Sequence, residues 1–265
     1  MRFEKSRIAL NEKRFTVEEL GETKRTGTTV TFKPDPAIFT TTVYNYETIK
    51  ENIARAAVRS GRKPEDITFM AVTKTVEPVF INYAIELGVD LIGENKVQEL
   101  TEKYAQLPSD IRWHMIGHLQ TNKVKQAIKV FDYIHSVDSV KLAQSISQHC
   151  AEIGKIQKVL IQINNANEEQ KFGFAPDELL NCMSELLMLS NIQIEGLMNI
   201  APLSQDNNYL RNLFKNIRLL KDKIQLEYKV ELPHLSMGMS NDYRIALEEG
   251  STIIRLGRIL FKEIL

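Results

Sequence analysis

Three short stretches of the 265-residue chain carry groups that could meet in one reaction site. The first is 68-TFMAVTKTVEP-78, where an apolar run from Phe69 to Val72 leads straight into Lys74. Lysine is seldom buried unless it is paired or used chemically. The second is 236-SMGMSND-242, in which Gly238 lets the backbone approach an anion and Ser240 offers a hydroxyl and a helix N-cap. The third is 255-RLGR-258, with Gly257 in the matching position. Each of the last two also reads as an ordinary turn with a helix cap. As a pair they make a phosphate seat. A lysine facing such a seat fits a Schiff base with an aldehyde, because desolvation lowers an ammonium pKa and frees the amine. Pyridoxal 5′-phosphate (PLP) supplies both the aldehyde and the phosphate. Arg255 would then face the pyridine nitrogen, keep it unprotonated and weaken the ring as an electron sink.

These groups lie far apart in sequence, so the fold must gather them. From about Asn45 short apolar runs alternate with amphipathic stretches. The strand candidates are ITFMAVTK (67–74), VDLIGEN (89–95), RWHMIGH (112–118), DYIHSV (132–137), KVLIQIN (158–164), IQIEGLMNI (192–200), PHLSMG (233–238) and TIIRLG (252–257). Helical stretches separate them, from FINYAIELG, with Gly88 as its C-cap, to NDYRIALEEG; YETIKENIARAAVRSGR precedes the first strand. Nearly continuous apolar strands alternating with helices imply a parallel sheet covered by helices. Eight such units predict an α/β chain closed as a single (β/α)8 TIM-type barrel, with an open doubly wound sheet as the alternative. A barrel places its site at the C-terminal strand ends and often builds phosphate seats after strands seven and eight. Lys74, Glu94, Asn95, His114, Gly117, His118, Met198 and Asn199 leave the earlier strands at that face.

Hydrophobic residues make up 43% of the chain, enough for a sizeable core, and Lys plus Arg and Asp plus Glu both number 34. That balance gives no reason to expect nucleic acid or an anionic membrane as a partner. The N-terminus has no apolar signal-peptide core, and no segment approaches the ~18 to 20 apolar residues of a membrane span. Cys150 and Cys182 form no metal or CxxC spacing and read as reduced residues rather than a disulfide. The expectation is a soluble, cytoplasmic protein without a metal site. Residues 1–44 are polar and rich in Thr, Lys and Arg. They form a short extension before the barrel of 45–265, and the alternating piece TGTTVTF is too short to be a stable sheet alone.

From about Tyr46 to Phe261 the chain resembles the pyridoxal phosphate homeostasis proteins, relatives of the barrel half of alanine racemase. The motifs that carry the resemblance are GRKPEDITFMAVTKT, GENKVQEL, RWHMIGHLQTNK, KFGF, GLMNIAP, LSMGMSNDY and GSTIIRLGRILF, in the family's order. The resemblance implies an alanine racemase N-terminal barrel that binds PLP as an internal aldimine without established turnover. It also implies a role in buffering PLP or delivering it to PLP-dependent apoenzymes, with effects on amino-acid and keto-acid balance. By motif, Lys74 resembles the aldimine lysine and Arg255 the residue at the pyridine nitrogen. Gly238, Met239, Ser240, Gly257 and Arg258 resemble the phosphate seat, with Ser236 in the same cofactor-binding stretch. Asn95 and Met198 resemble pocket lining, and His114 is open between pocket lining and a core histidine. No residue is expected to be catalytic.

Two departures stand out. The chain has AVTK where the family usually has AVSK, with Thr73 keeping the hydroxyl, and Lys262 where the family continues with Gly. A PLP-dependent racemase is the alternative reading. Racemases resemble this barrel but add a β-domain that supplies a tyrosine across a dimer, which this sequence does not show after strand eight. The expected state is therefore a monomer. A pure interaction protein that has lost the cofactor is a third reading, against which Lys74, Gly238, Ser240 and Arg255 stand intact. Residues 20–49 resemble a fragment of the ATPase region of DNA gyrase B, without a nucleotide-binding element. No gyrase function is expected, and residues 20–44 are expected to attach loosely to the barrel.

Overall fold

In a parallel barrel each strand alternates between an inner face and a face turned to the helices, so both faces must be apolar. The computed structural model of the chain describes residues 3–11, 14–23, 36–166 and 172–261. Its strands are β1 (Thr68–Val72), β2 (Leu91–Glu94), β3 (Arg112–Met115), β4 (Tyr133–Val137), β5 (Gln157–Ile163), β6 (Ile192–Asn199), β7 (His234–Ser236) and β8 (Ile253–Leu256). They form a closed barrel in chain order, and β8 returns to β1 in parallel with Ile253 opposite Thr68 and Leu256 opposite Ala71. The expected eight strands and their closure are both present. The open doubly wound sheet is ruled out.

The helices are α1 (Pro36–Arg59), α2 (Pro78–Glu86), α3 (Val97–Tyr104), α4 (Val124–Val130), α5 (Val140–Glu152), α6 (Pro176–Leu187), α7 (Asn207–Tyr228) and α8 (Tyr243–Glu248). Among the described residues no helix is long and apolar enough to cross a membrane. Helix α1 begins ten residues before the expected Tyr46. A proline at the first helical position has no N–H to satisfy and a preset φ, so Pro36 can open it. The expected boundary after residue 44 therefore falls inside α1. Upstream, Phe3–Asn11 and Arg14–Thr23 pair as an antiparallel hairpin in a sheet of their own. The TGTTVTF run at 26–32 lies outside the described residues, as does much of the stretch expected to attach loosely.

Alternation along the strands sorts the core into two layers. Met70, Leu91, Ile116, Leu160, Met198 and Ile253 pack together inside the barrel. Ala71, Ile92, Trp113, Ile134, Val159, Leu197 and Ile254 pack outward with helix residues such as Leu142, Leu179 and Phe214. Fully burying one such side chain is worth roughly 1.5–3 kcal/mol. Two residues from an inner apolar position lies another inner position. That rule puts His114 beside Ile116 and Arg255 beside Ile253, so the barrel interior carries polar groups that need partners.

Candidate functional site

A cavity of about 520 Å³ opens at the C-terminal ends of the strands, a size within the usual range for small-ligand sites. It collects Lys74, Asn95, Met239, Ser240, Arg255, Gly257 and Arg258, seven of the ten residues expected to bind cofactor. Met198, Ser236 and Gly238 do not line it. Met198 lies in the apolar interior layer and Ser236 is fully buried. At Gly238 the turn requires glycine: its φ is +96°, and an added Cβ would lie 2.7 Å from the Ala246 Cβ.

Lys74 sits just past β1 and is exposed rather than buried. The next residue, Thr75, has φ +63°, a costly conformation for a β-branched residue. Its hydroxyl donates to the Lys74 carbonyl at 2.6 Å. On the other side Thr73 is fully buried. Its hydroxyl donates to Glu94 Oε1 at 2.5 Å, and Lys103 Nζ donates to both Glu94 Oε1 (2.8 Å) and the Thr73 carbonyl (2.7 Å). Burial raises the Glu94 pKa, and Lys103 and Thr73 pull it back. The strand end that presents Lys74 is thus pinned from behind by a buried ion pair. Sequence reasoning missed this pair. Its signal was Lys103 itself, a charge one turn beyond the apolar positions Val97 and Leu100 of α3.

The turn after β7 differs from expectation in one respect. Ser240 does not cap α8; the cap position is Asp242, and α8 is only six residues long. The Ser240 hydroxyl oxygen instead accepts from the Ile259 amide at 3.3 Å, tying the β7 and β8 turns together and leaving its O–H to give. The Met239 amide donates to Asp242 Oδ1 at 2.6 Å and is therefore occupied. The amides of Ser240, Asn241, Gly257 and Arg258 make no hydrogen bond to a described residue. Amides without a described partner and a hydroxyl lining one cavity suit an anion.

Arg255 is 3% exposed and reaches the cavity from the barrel interior. Its Nη1 donates to the Ser236 carbonyl and to Ser236 Oγ, both at 2.7 Å, and its Nη2 donates to the Asn199 carbonyl at 2.8 Å. Of five guanidinium N–H groups, two remain unspent. Burial pushes its pKa down to about 10, while the Asp242 carboxylate pulls the other way. The group stays a cation at neutral pH. The Asn95 backbone passes so close to Gly117 that an added Cβ there would lie 2.3 Å from the Asn95 carbonyl oxygen.

His118 lines the same cavity, with Nδ1 2.8 Å from Asp138 Oδ2 and its ring stacked 3.6 Å from that of Phe172. Reading strand ends had marked His118 but not the aspartate that orients it, because Asp138 comes from the neighbouring strand's exit. His114 is a core histidine and does not line the cavity.

The family described as alanine racemase, N-terminal domain, matches residues 44–264. A pyridoxal phosphate homeostasis protein of Aquifex aeolicus is 41% identical over 216 residues, covering 81% of this chain and 95% of its own length. The chain belongs to the pyridoxal phosphate homeostasis protein family. Two solved structures share the homeostasis-protein barrel. An unknown protein from Bifidobacterium adolescentis is 32% identical, with a TM-score of 0.80 over 86% of this chain and 97% of that one. PipY of Synechococcus elongatus, solved with PLP bound, is 33% identical, with a TM-score of 0.73 over 83% of this chain and 99% of that one. The match to the family begins at residue 44, so the gyrase likeness of residues 20–49 gains no support from it.

Proposed function

We propose that this chain holds PLP in its barrel mouth and keeps it available to the cell, a homeostasis role without turnover. One observation carries the reading: a single cavity is lined by a primary amine, a set of unspent amides with a hydroxyl, and a buried guanidinium with two unspent N–H groups. This donor set fits the cofactor's aldehyde, phosphate and ring nitrogen. When bound, PLP supplies an aldehyde carbon open to amines and an aromatic ring that withdraws electrons. Lys74 would offer its amine to the aldehyde, condensing with loss of water, and its strand end is pinned by the Thr73–Glu94–Lys103 cluster behind it. Ser240 and the amides of the two turns, with Arg258, hold the phosphate. Arg255 would offer an unspent N–H to the ring nitrogen, and its positive charge would disfavour a proton on that atom. A ring left unprotonated is a weak electron sink, which favours storage over carbanion chemistry. That the relative PipY was solved with PLP bound supports PLP as the occupant. The protein acts in the cytoplasm as a monomer and passes PLP to apoenzymes across the rim, where Phe172 and Leu203 are 52% and 87% exposed.

Absorbance with and without borohydride tests this. Wild-type protein mixed with PLP should turn yellow and keep the cofactor after reduction, and Lys74→Ala should lose that fixation. A colourless wild-type protein would sink the reading. Ser240→Ala should weaken PLP binding by about 1 to 2 kcal/mol, the range for a hydrogen bond to a charged group. Unchanged affinity would remove Ser240 from the seat.

A second reading, a racemase-type enzyme, is favoured by the His118–Asp138 pair, since an oriented histidine in the cavity could carry a proton. Exchange of an amino acid's α-proton with deuterium, lost in His118→Phe, would select it.

A further inference from the structure

Arg255 presents an electrostatic problem. It is a buried cation whose three hydrogen bonds all go to neutral oxygens. Behind it lies an unbroken chain of buried groups. Ser236 Oγ, which accepts from Arg255, is 3.0 Å from His135 Nδ1. His135 Nε2 is in turn 2.9 Å from His114 Nδ1. Ser236 and His135 are fully buried and His114 is 4% exposed. The chain runs through the barrel interior from the cavity wall across β8, β7, β4 and β3.

The direction of its hydrogen bonds can be worked out. Arg255 has no lone pair to offer, so Ser236 Oγ must accept from it. The Ser236 hydroxyl then has one proton to give. Among the described residues the acceptor within reach is His135 Nδ1. If that nitrogen carried its own proton, the buried hydroxyl would be stranded without an acceptor. His135 Nδ1 is therefore bare and its proton sits on Nε2. That proton points at His114 Nδ1, which must also be bare, so His114 carries its proton on Nε2. Both rings are neutral. Burial depresses both pKa values, to about 3 for His114, and positive charge nearby pushes the same way, from Arg112 and Lys158 on His114 and from Arg255 on His135.

We infer that His114, His135 and Ser236 form a one-way hydrogen-bond chain that orients Arg255 and supports its charge at the cavity wall. Every dipole in the chain turns its negative end toward the guanidinium. Aligned bonds polarise one another, so the chain does part of what a carboxylate would do. A carboxylate in contact would occupy the free N–H groups; the neutral chain leaves them unspent on a residue that lines the cavity. His114, His135 and Ser236 are thus positioning residues that never touch the ligand. This rests on the reading of Arg255 at the cofactor only where PLP absorbance is the readout.

The test uses the full chain labelled with 15N-histidine. Long-range proton–nitrogen spectra at pH 7, without PLP, should show a protonated Nε2 and a bare Nδ1 on both rings, with no titration of either between pH 5 and 8. A protonated Nδ1 on either ring, or a titration in that range, overturns the chain. With PLP bound, Ser236→Ala and His135→Leu should shift the visible band in the direction that Arg255→Gln does. His135→Gln, which keeps an acceptor and a donor, should return it toward wild type. If Arg255→Gln moves the band and Ser236→Ala and His135→Leu do not, the positioning role is wrong. If Arg255→Gln leaves the band in place too, the placement of Arg255 at the cofactor falls, and the nitrogen spectra still decide the chain.

Discussion

Two buried cations, Lys103 and Arg255, are stabilised in opposite ways. Lys103, on the outer layer, meets a carboxylate directly: Nζ is 2.8 Å from Glu94 Oε1, and the Glu94 side chain is 0% exposed. Arg255, on the inner layer, meets only carbonyls and a hydroxyl. A charge whose task is structural can be neutralised on the spot. A charge that must act on a ligand has to be kept buried without being cancelled. On the proposed assignment of Arg255, the contrast separates the part of the barrel mouth that holds the frame from the part that binds.

The sharpest way to break this contrast is to remove each cation in turn. Lys103→Met leaves Glu94 buried and unpaired, and should cost about 3–5 kcal/mol in urea unfolding. The loss should shrink as pH falls, because a lone buried carboxyl takes up a proton. Arg255→Met leaves only neutral acceptors at a cavity wall that water can reach, and should cost about 1–3 kcal/mol. Equal losses would erase the distinction.

The next test is acid. His114 is held near pKa 3 in the fold, against an ordinary value of 6.5, and His135 is also strongly depressed. Above pH 6.5 both states are neutral at these rings. Below it the unfolded chain takes protons that the folded chain refuses, so stability falls as pH drops toward 3. Each ring contributes a limiting slope of about 1.4 kcal/mol per pH unit. Burial raises the pKa of Glu94, Glu195 and Asp242, and these act with the opposite sign. The informative quantity is therefore the difference between wild type and His135→Gln, whose acid limb should be shallower by that slope. Parallel curves would show that His135 accepts a proton inside the fold.

The smallest expected effect is at the surface. Arg112 and Asp90 lie 2.7 Å apart with side chains 51% and 70% exposed. Arg112→Ala should cost about 0–1 kcal/mol. A larger loss would mean that contact distance, not burial, governs these pairs.

The strands were legible because parallel strands buried on both faces read as unbroken apolar runs. ITFMAVTK and TIIRLG needed no partner information to be recognised. Lys74, Ser240 and Arg255 were legible because each is a polar residue at the end of such a run. What sequence reading missed depends on register across strands. That His114 meets His135, or that Thr73 meets Glu94, follows from the pairing of β1 with β2 and of β3 with β4, which no local pattern specifies. The start of α1 was misjudged for a different reason: the rhythm changes at Tyr46, but the helix extends back to Pro36.

Closure of the barrel between β8 and β1 has a consequence for synthesis. Lys74 emerges from the ribosome early, whereas Arg255 and Arg258 follow about 180 residues later. At roughly 5–20 residues per second, that interval is on the order of 10–40 s. Through all of it the Lys74 amine exists without the turns that the proposed reading makes its anion seat. Strand β1 also waits for its last neighbour, a pairing of high sequence separation that forms slowly. On the proposed reading a nascent chain is therefore blind to the cofactor until the final strand docks.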